Sequence, residues 1–346
     1  MVRDLSLRRY RSYPSLELRL EPGVVLVVGP NGVGKTNLLE SLHVATQGFS
    51  PRTRQDAQLI AFGADAARVG VRGLRGARET ELSVILRRGQ AKEARLNGAR
   101  LPSAESLRRE VATLVFTPDR LAVVKGGPAA RRAYFDRVLG RLHPARAGEP
   151  QEYLATLAQR NAALRRVSLG LSTRESLSPW TASLATLGSR LAASRDETIE
   201  TLAPAFAERA GELGLADARL VYEPGETTVE LLEARLARDL DRGTTGLGPH
   251  LDEIGIFAGD RDLRQFGSQG EQRLAVLSLL LAEASLLAAP PLLLLDDVLS
   301  ELDHGRRRIL AERVLGMGQT VITATHASAL PVEPSQVVEV EPGTAR

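Results

Sequence analysis

"GPNGVGKTNLLE", residues 29–40, decides the fold, because it begins with the complete phosphate-loop pattern G-x-x-x-x-G-K-[ST]. The pattern is formed by Gly29, Pro30, Asn31, Gly32, Val33, Gly34, Lys35 and Thr36. The apolar run "GVVLVVG" precedes the glycines, and "KTNLLESLHVATQ" continues with apolar residues at helical spacing. Strand, glycine loop and helix therefore stand in the order that a phosphate site requires. The alternative, a glycine-rich turn without a ligand, does not need both flanking elements.

The residue types in this loop indicate how a nucleotide would be held. Glycines let backbone N–H groups converge on phosphate oxygens, and the following helix directs its positive end at the same anion. Lys35 would reach the β- and γ-phosphates, and the Thr36 hydroxyl would coordinate Mg²⁺. The pattern alone does not distinguish ATP from GTP.

A second motif, "PPLLLLDDVLSELD" at residues 290–303, supplies carboxylates after a buried strand. Asp296 is placed to hold the Mg²⁺ that Thr36 also contacts, and Asp297 to polarise an attacking water. Both could instead be ordinary turn residues, but the phosphate loop upstream favours the metal site. His326 follows the short strand "VITAT". It could contact a γ-phosphate there, or it could be an ordinary loop residue.

A third motif, "FGSQGEQRLAVLSLLLAEA", begins a long apolar helix. Ser268 and Glu271 have the capping-box spacing S-x-x-E, and a capped helix start with a hydroxyl and a glycine is also an anion site. Gly29–Thr36 already provide a loop and a helix for one triphosphate. We therefore expect Ser268, Gln269 and Gly270 to meet a γ-phosphate held by another copy of the chain.

Composition bounds the class of protein. The chain has 346 residues, 43% hydrophobic and 25% charged, and contains no cysteine, which excludes a disulfide framework. The charged N-terminus lacks the apolar segment of a signal peptide, and the longest apolar run is interrupted by Glu283 and by Pro290–Pro291. We expect a soluble, cytoplasmic protein without a membrane partner.

Charge is distributed unequally along the chain. Residues 1–170 carry 29 Lys or Arg against 15 Asp or Glu, whereas residues 171–346 carry 16 against 27. A basic N-terminal half predicts binding of a polyanion such as a nucleic acid. The alternative is that the two halves simply attract each other.

The order of the motifs resembles that of ABC-type ATPases, and nearly the whole chain resembles the RecF family of bacterial recombination-repair ATPases. Besides the three motifs above, the resemblance is carried by "LVFTPDRLAVVKGGPAARRAYFD" (residues 114–136), "LAQRNAALRR", "GPHLDE" and "TATH". It implies an α/β fold: an ABC-type P-loop ATPase head, with a mixed sheet and flanking helices, and an inserted, mostly helical second lobe. We expect the ATPase lobe at residues 1–105 and 245–346 and the helical lobe at 106–244.

The resemblance also implies roles for single residues. ATP and Mg²⁺ would be bound by Gly29–Thr36 and Asp296, Asp297 would take the general-base position, and Asp303 and His326 would take the D-loop and switch positions. Ser268–Gly270 would be the signature that closes over ATP on the partner copy. Asp297 is shorter than the Glu of ABC transporters, so slow hydrolysis is expected. Leu251 stands in "GPHLDE" where the family is expected to have a basic residue.

Partners follow from the resemblance as well. It implies a homodimer formed on ATP binding, double-stranded and gapped DNA as the ligand, RecR and RecO as protein partners, and RecA as the protein loaded downstream. Because aromatic residues are only 4% of the chain, we expect contact with the DNA backbone rather than base stacking. The candidates for phosphate contact are Arg52, Arg54, Arg72, Arg75, Arg87, Arg88, Arg131 and Arg132.

Three other classes of protein share parts of this pattern. An ABC transporter ATPase subunit would couple the same motifs to a membrane partner, and an SMC-like head would need long heptad runs, which the sequence lacks. A small-molecule P-loop kinase would have no need of the "SQGEQ" helix start or the "SELD" loop.

Overall fold

The computed structural model describes residues 1–346, apart from the side chains of Asp119 and Glu301. The strands are β1 (Val2–Tyr10), β2 (Tyr13–Arg19), β3 (Val24–Val28), β4 (Ala66–Arg75), β5 (Arg78–Arg87), β6 (Glu93–Leu96), β7 (Ala99–Arg100), β8 (Thr113–Phe116), β9 (Ala218–Tyr222), β10 (Ile254–Ala258), β11 (Arg261–Asp262), β12 (Leu292–Leu295), β13 (Thr320–Ala324), β14 (Gln336–Glu341) and β15 (Thr344–Ala345). The α-helices are α1 (Lys35–Gln47), α2 (Ala122–Lys125), α3 (Pro128–Leu142), α4 (Glu149–Ser168), α5 (Ser178–Glu212), α6 (Val229–Ala234), α7 (Leu236–Arg242), α8 (Leu263–Phe266), α9 (Gln269–Leu286) and α10 (His304–Leu315).

The chain divides into two compact units. The first comprises Met1–Arg120, Glu212–Gly214 and Leu287–Arg346, and the second comprises Leu121–Gly211 and Leu215–Leu286. Residues 245–286, which we assigned from sequence to the ATPase lobe, thus lie in the second unit, because β10 pairs with β9 and α8 packs against β10. The first unit also extends past residue 105, since β8 pairs with β12 in its sheet.

A six-stranded sheet forms the centre of the first unit, in the order β15-β14-β3-β13-β12-β8. All neighbouring pairs from β14 to β8 are parallel. All five residues of β3 are buried, which explains why its sequence is a continuous apolar run. The carboxyl ends of β3, β12 and β13 lie at one edge of this sheet, so the three segments that follow them meet there.

An antiparallel sheet in the order β2-β1-β4-β5-β6-β7 completes the first unit. Its strand β2 alternates buried Leu16 and Leu18 with exposed residues, as the pattern "LELRL" predicts. Helix α1 contacts strands of both sheets, and Leu38, Leu39 and Leu42 belong to the core that the two sheets share. This packing fixes the helix that begins at the phosphate loop.

The second unit is mainly helical and includes the small sheet β11-β10-β9. Its longest helix, α5, has 35 residues. Tyr153, Leu184 and Leu232 share its apolar core. Arg160 of α4 is fully buried in this unit and forms an ion pair of 3.0 Å with Asp239. The carboxylate compensates the buried positive charge.

Candidate functional site

The phosphate loop occupies the six residues between the end of β3 and the start of α1. Three of its glycines have positive φ angles: 153° at Gly29, 80° at Gly32 and 124° at Gly34. A Cβ atom at Gly29 would lie 2.8 Å from the Val340 carbonyl oxygen, and one at Gly34 would lie 3.0 Å from the Tyr13 hydroxyl. Both the conformation and the space therefore require glycine at these positions.

Lys35 folds back over this loop. Its Nζ donates hydrogen bonds to the carbonyl oxygens of Gly29 (2.6 Å) and Pro30 (2.9 Å). Burial lowers the pKa of Lys35 from its ordinary value, and the nearby Asp297 and Asp296 oppose part of that shift. The ammonium group is thus already at the mouth of the loop, where a triphosphate could replace the two carbonyl oxygens.

The two predicted metal ligands lie together, although 260 positions separate them in sequence. The Thr36 hydroxyl donates to Asp296 Oδ1 at 3.0 Å, and the Thr323 hydroxyl donates to the same oxygen at 2.8 Å. Asp296 is 5% exposed, and burial raises its pKa, while the bonds from Thr323 and Thr36 lower it in part. The Thr36 lone pairs and Asp296 Oδ2 remain as hard oxygen donors, which fit Mg²⁺.

Among the described side chains, His, Cys, Asp and Glu do not gather in a cluster of three or more that could hold a metal. Mg²⁺ is commonly held by one or two protein groups together with substrate phosphates. The pair of Thr36 and Asp296 matches that pattern, with the remaining ligands left to a nucleotide and water.

Asp297 and His326 line one pocket. Asp297 follows directly after Asp296 and has a left-handed φ of 51°. Its backbone N–H donates to the Thr323 hydroxyl at 2.8 Å. The pocket is lined by Asp297, Leu299, Ser300, Arg307, Ala324, Thr325, His326, Ser328 and Ala329. The structure therefore brings the predicted base and switch positions to the same cavity, beside the predicted metal ligand Asp296.

Asp303 is the N-cap of α10. Its side chain accepts a hydrogen bond of 2.9 Å from the Arg306 backbone N–H and forms an ion pair of 3.3 Å with the Arg306 side chain. These contacts give Asp303 a local role in starting the helix. Its assignment to the D-loop position stays a prediction.

The predicted capping box at the start of α9 is present. The Glu271 backbone N–H donates to the Ser268 hydroxyl at 3.2 Å, and the Ser268 N–H donates to the Glu271 carboxylate at 2.8 Å. Bonds from Arg261 and from the Ser268 backbone lower the pKa of Glu271 to about 2. Ser268, Gln269 and Gly270 are exposed, so the helix start is accessible to an anion.

The arginines predicted to contact DNA differ in accessibility. Arg131 is only 3% exposed and is bonded to Glu253 and to the Val124 and Gly126 carbonyl oxygens, so its assignment as a DNA contact is wrong. Arg132 is partly buried and donates to the Asp252 carbonyl oxygen at 2.7 Å. The exposed members of the set are Arg52, Arg54, Arg72, Arg75, Arg87 and Arg88.

Two residues of the site were missed from sequence. Thr323 bonds to both aspartates, and Arg307 lines the pocket while its Nε donates to the Leu302 carbonyl oxygen at 2.9 Å. Thr323 is the third residue before His326, and this position at the end of a buried strand was the signal available for it.

None of the helices in the described part of the chain is both long and apolar enough to cross a bilayer.

Comparisons with known proteins show the relatives of this chain. The family model of the RecF/RecN/SMC N-terminal domain matches residues 1–343. The DNA replication and repair protein RecF of Heliobacterium modesticaldum is 34% identical, with 96% of this chain and 94% of the relative covered. The RecF of Frankia alni is 36% identical, with 95% and 94% covered.

Solved structures give the same result for the fold. The recombination mediator protein RecF with ATP, of the RecFOR pathway, superposes with a TM-score of 0.90 at 26% identity, covering 100% of this chain and 96% of that one. An Smc head domain from Pyrococcus furiosus has a TM-score of 0.62 at 18% identity, covering 100% and 95%, which is a likeness of fold alone. The predicted ATPase-head fold is confirmed by these neighbours.

Proposed function

This chain belongs to the RecF family of DNA replication and repair ATPases, and from that premise we propose that it is an ATP-dependent clamp on double-stranded DNA beside single-strand gaps. ATP would join two copies around the DNA, and hydrolysis would release them. The observation that supports the proposal is the exposed, capped helix start at Ser268–Gly270, which could accept a phosphate held by a second copy.

The first unit would hold the nucleotide. Lys35 would exchange its two carbonyl partners for phosphate oxygens, and the positive end of α1 would face the same anion. Thr36 and Asp296 would hold Mg²⁺ through oxygen atoms. When bound, Mg²⁺ supplies positive charge that offsets the negative charge of the phosphates.

Asp297 would accept the proton of the attacking water, and His326, on the same pocket, would contact the γ-phosphate. Asp has one methylene less than Glu, so its carboxylate holds that water less closely. We therefore expect ATP to be hydrolysed slowly, which suits a timer that keeps the dimer closed until DNA has been engaged.

The second anion site would act between copies. Ser268 and the backbone of Gln269 and Gly270 would approach the γ-phosphate held by the partner copy, and the same contact would be repeated by symmetry. Because the nucleotide contributes to the interface, ATP would stabilise the dimer, and loss of the γ-phosphate would weaken it.

The protein would bind the sugar-phosphate backbone of the DNA. The six exposed arginines lie in the half of the chain that carries the basic excess. Arg72, Arg75 and Arg87 form ion pairs that phosphates could replace, whereas Arg52 pairs with the buried Glu40 and Arg88 donates to the Ala64 carbonyl oxygen. Because the similar RecF structure belongs to the RecFOR pathway, we propose RecR and RecO as protein partners and RecA loading as the outcome.

An SMC-like head and a transporter ATPase subunit are the alternatives. The likeness to the Smc head is one of fold at 18% identity, whereas RecF relatives match nearly the whole chain at up to 36% identity. This difference in sequence similarity favours the RecF function.

Sizing chromatography with and without ATP, repeated with short duplex DNA, tests the proposal. We expect dimers only with ATP, and DNA bound only by dimers. Lys35→Met should lose nucleotide, dimer and DNA together, whereas Ser268→Arg should keep nucleotide and lose the dimer. Ser168→Arg, at an exposed position near the end of α4, is the matched control and should behave as the wild type. A Ser268→Arg protein that still dimerises with ATP would refute the placement of this residue.

A further inference from the structure

Thr323 links the two aspartates of the site through one hydroxyl group. Its Oγ1 donates to Asp296 Oδ1 at 2.8 Å and accepts from the Asp297 N–H, also at 2.8 Å. The residue is 1% exposed and lies in β13, between β3 and β12 of the parallel sheet. We propose that Thr323 is a positioning residue that holds the metal-binding Asp296 and the base-position Asp297 in one fixed arrangement, an inference that rests on the proposed ATPase site.

The backbone of Asp297 shows why such a residue is needed. Strand β12 ends at Leu295, and two residues later the chain has a φ of 51°, in the left-handed region that residues with a Cβ rarely adopt. The bond from the Asp297 N–H to Thr323 holds the chain in this conformation. As a result, Asp296 stays buried beside Thr36 while Asp297 faces the pocket that contains His326.

The single proton of the Thr323 hydroxyl has a determined direction. Because the Asp297 N–H can only donate, it occupies a lone pair of Thr323 Oγ1, and the hydroxyl proton must be given to Asp296 Oδ1. The hydroxyl protons of Thr323 and Thr36 both point at Oδ1, so together they fix the orientation of the Asp296 carboxylate. Oδ2 is thereby left free for Mg²⁺ in the described part of the chain.

Thr320 provides a matched comparison in the same strand. It is also fully buried, yet its hydroxyl has no hydrogen-bond partner among the described residues. Replacing either threonine by valine exchanges a hydroxyl for a methyl group of similar size. At Thr323 this change leaves a buried carboxylate oxygen and a backbone N–H with fewer partners, whereas at Thr320 it removes only an unsatisfied group.

The experiment compares Thr323→Val, Thr323→Ser and Thr320→Val in the full-length protein. The measurements are the affinity for a fluorescent ATP analogue as a function of Mg²⁺ concentration, ATP-dependent dimerisation, and kcat and KM for ATP hydrolysis. Loss of a group that orients a metal ligand typically lowers metal affinity or activity by about 10- to 100-fold. We expect Thr323→Val to lower both the affinity for Mg²⁺ and kcat by about 10- to 100-fold. Nucleotide binding without metal should stay within about two-fold of the wild-type value.

Thr323→Ser keeps the hydroxyl and should recover most of both values, and Thr320→Val should match the wild type. The proposal is overturned if Thr323→Val retains wild-type Mg²⁺ dependence and kcat, or if Thr320→Val loses as much, since packing alone would then explain the effect. These outcomes are distinct from failure of the proposed function, in which the wild-type protein itself would not dimerise with ATP.

Discussion

Substitution of Asp296 by Asn should make the ligand-free protein more stable and the ATP-bound protein less stable. Asp296 is 5% exposed, and both hydroxyl donors, at 3.0 and 2.8 Å, can still bond to the amide oxygen of Asn. The substitution removes a buried charge without breaking these two bonds. We expect a gain of about 1 kcal/mol in the free energy of unfolding, or about 2–4 °C in Tm for a unit of this size.

The pH dependence of stability is a separate test of whether Asp296→Asn stabilises the ligand-free protein. Burial raises the pKa of Asp296 above its ordinary 3.8. For a raised carboxyl pKa, the wild type is favoured while the group is protonated, below pH 3.8, and it loses that stability as the pH rises through the folded value. Asn does not titrate, so the advantage of Asp296→Asn should be absent in acid and fully developed at neutral pH.

Nucleotide should reverse the order of stability. At a Mg–ATP concentration 100 times its Kd, binding stabilises the wild type by about 2.7 kcal/mol. If loss of the carboxylate weakens binding about 100-fold, the same concentration stabilises the variant by only about 0.4 kcal/mol. With Mg–ATP, the wild type should therefore have the higher Tm. This difference should be larger than the advantage that the variant has without ligand.

Differential scanning calorimetry with and without Mg–ATP measures both effects. Asp65→Asn, at an exposed position of the same unit, is the control and should change neither value. If Asp296→Asn is destabilising without ligand, the carboxylate is not a strained metal ligand. If it keeps the full shift with Mg–ATP, Asp296 does not hold the metal.

Three further outcomes are expected. Glu271→Ala removes the capping box and should cost about 1 kcal/mol by thermal unfolding; since the pKa of Glu271 is about 2, the wild-type advantage should be present above pH 4.5 and lost as the pH falls toward 2. Arg72→Ala should reduce the slope of log K for DNA against log salt by about 0.9 if this residue contacts a phosphate, measured by fluorescence anisotropy. Arg131→Ala should leave that slope unchanged and instead lower Tm, because it removes the ion pair with the half-exposed Glu253 and leaves the Val124 and Gly126 carbonyl oxygens without this partner.

Local signals were sufficient for the elements that contain the nucleotide half-site. The apolar run before Gly29 and the helical spacing after Lys35 give β3 and α1, and the spacing of Ser268 and Glu271 gives the capping box. Each of these elements is specified by residues that are close together in sequence, so a local pattern is enough to predict it.

Contacts between distant segments were not available from the sequence. Arg131 lies in a basic block that suggests a surface, but Glu253, 122 positions later, closes an ion pair over it. Thr323 reaches the aspartates only because β13 is placed between β3 and β12. The boundary of the second unit likewise depends on the pairing of β9 with β10, which no local pattern specifies.

The proposed site between two copies is tested most directly by cross-linking. The chain contains no cysteine, so Asn31→Cys and Ser268→Cys each introduce a single reactive thiol. The two variants are mixed and treated with a short bismaleimide, with and without ATP, after nucleotide binding by each has been verified. We expect a covalent dimer in the mixture with ATP, and little in either variant alone or without nucleotide. If the ATP-loaded mixture gives no more covalent dimer than the separate variants, Ser268 does not approach the phosphate loop of a second copy.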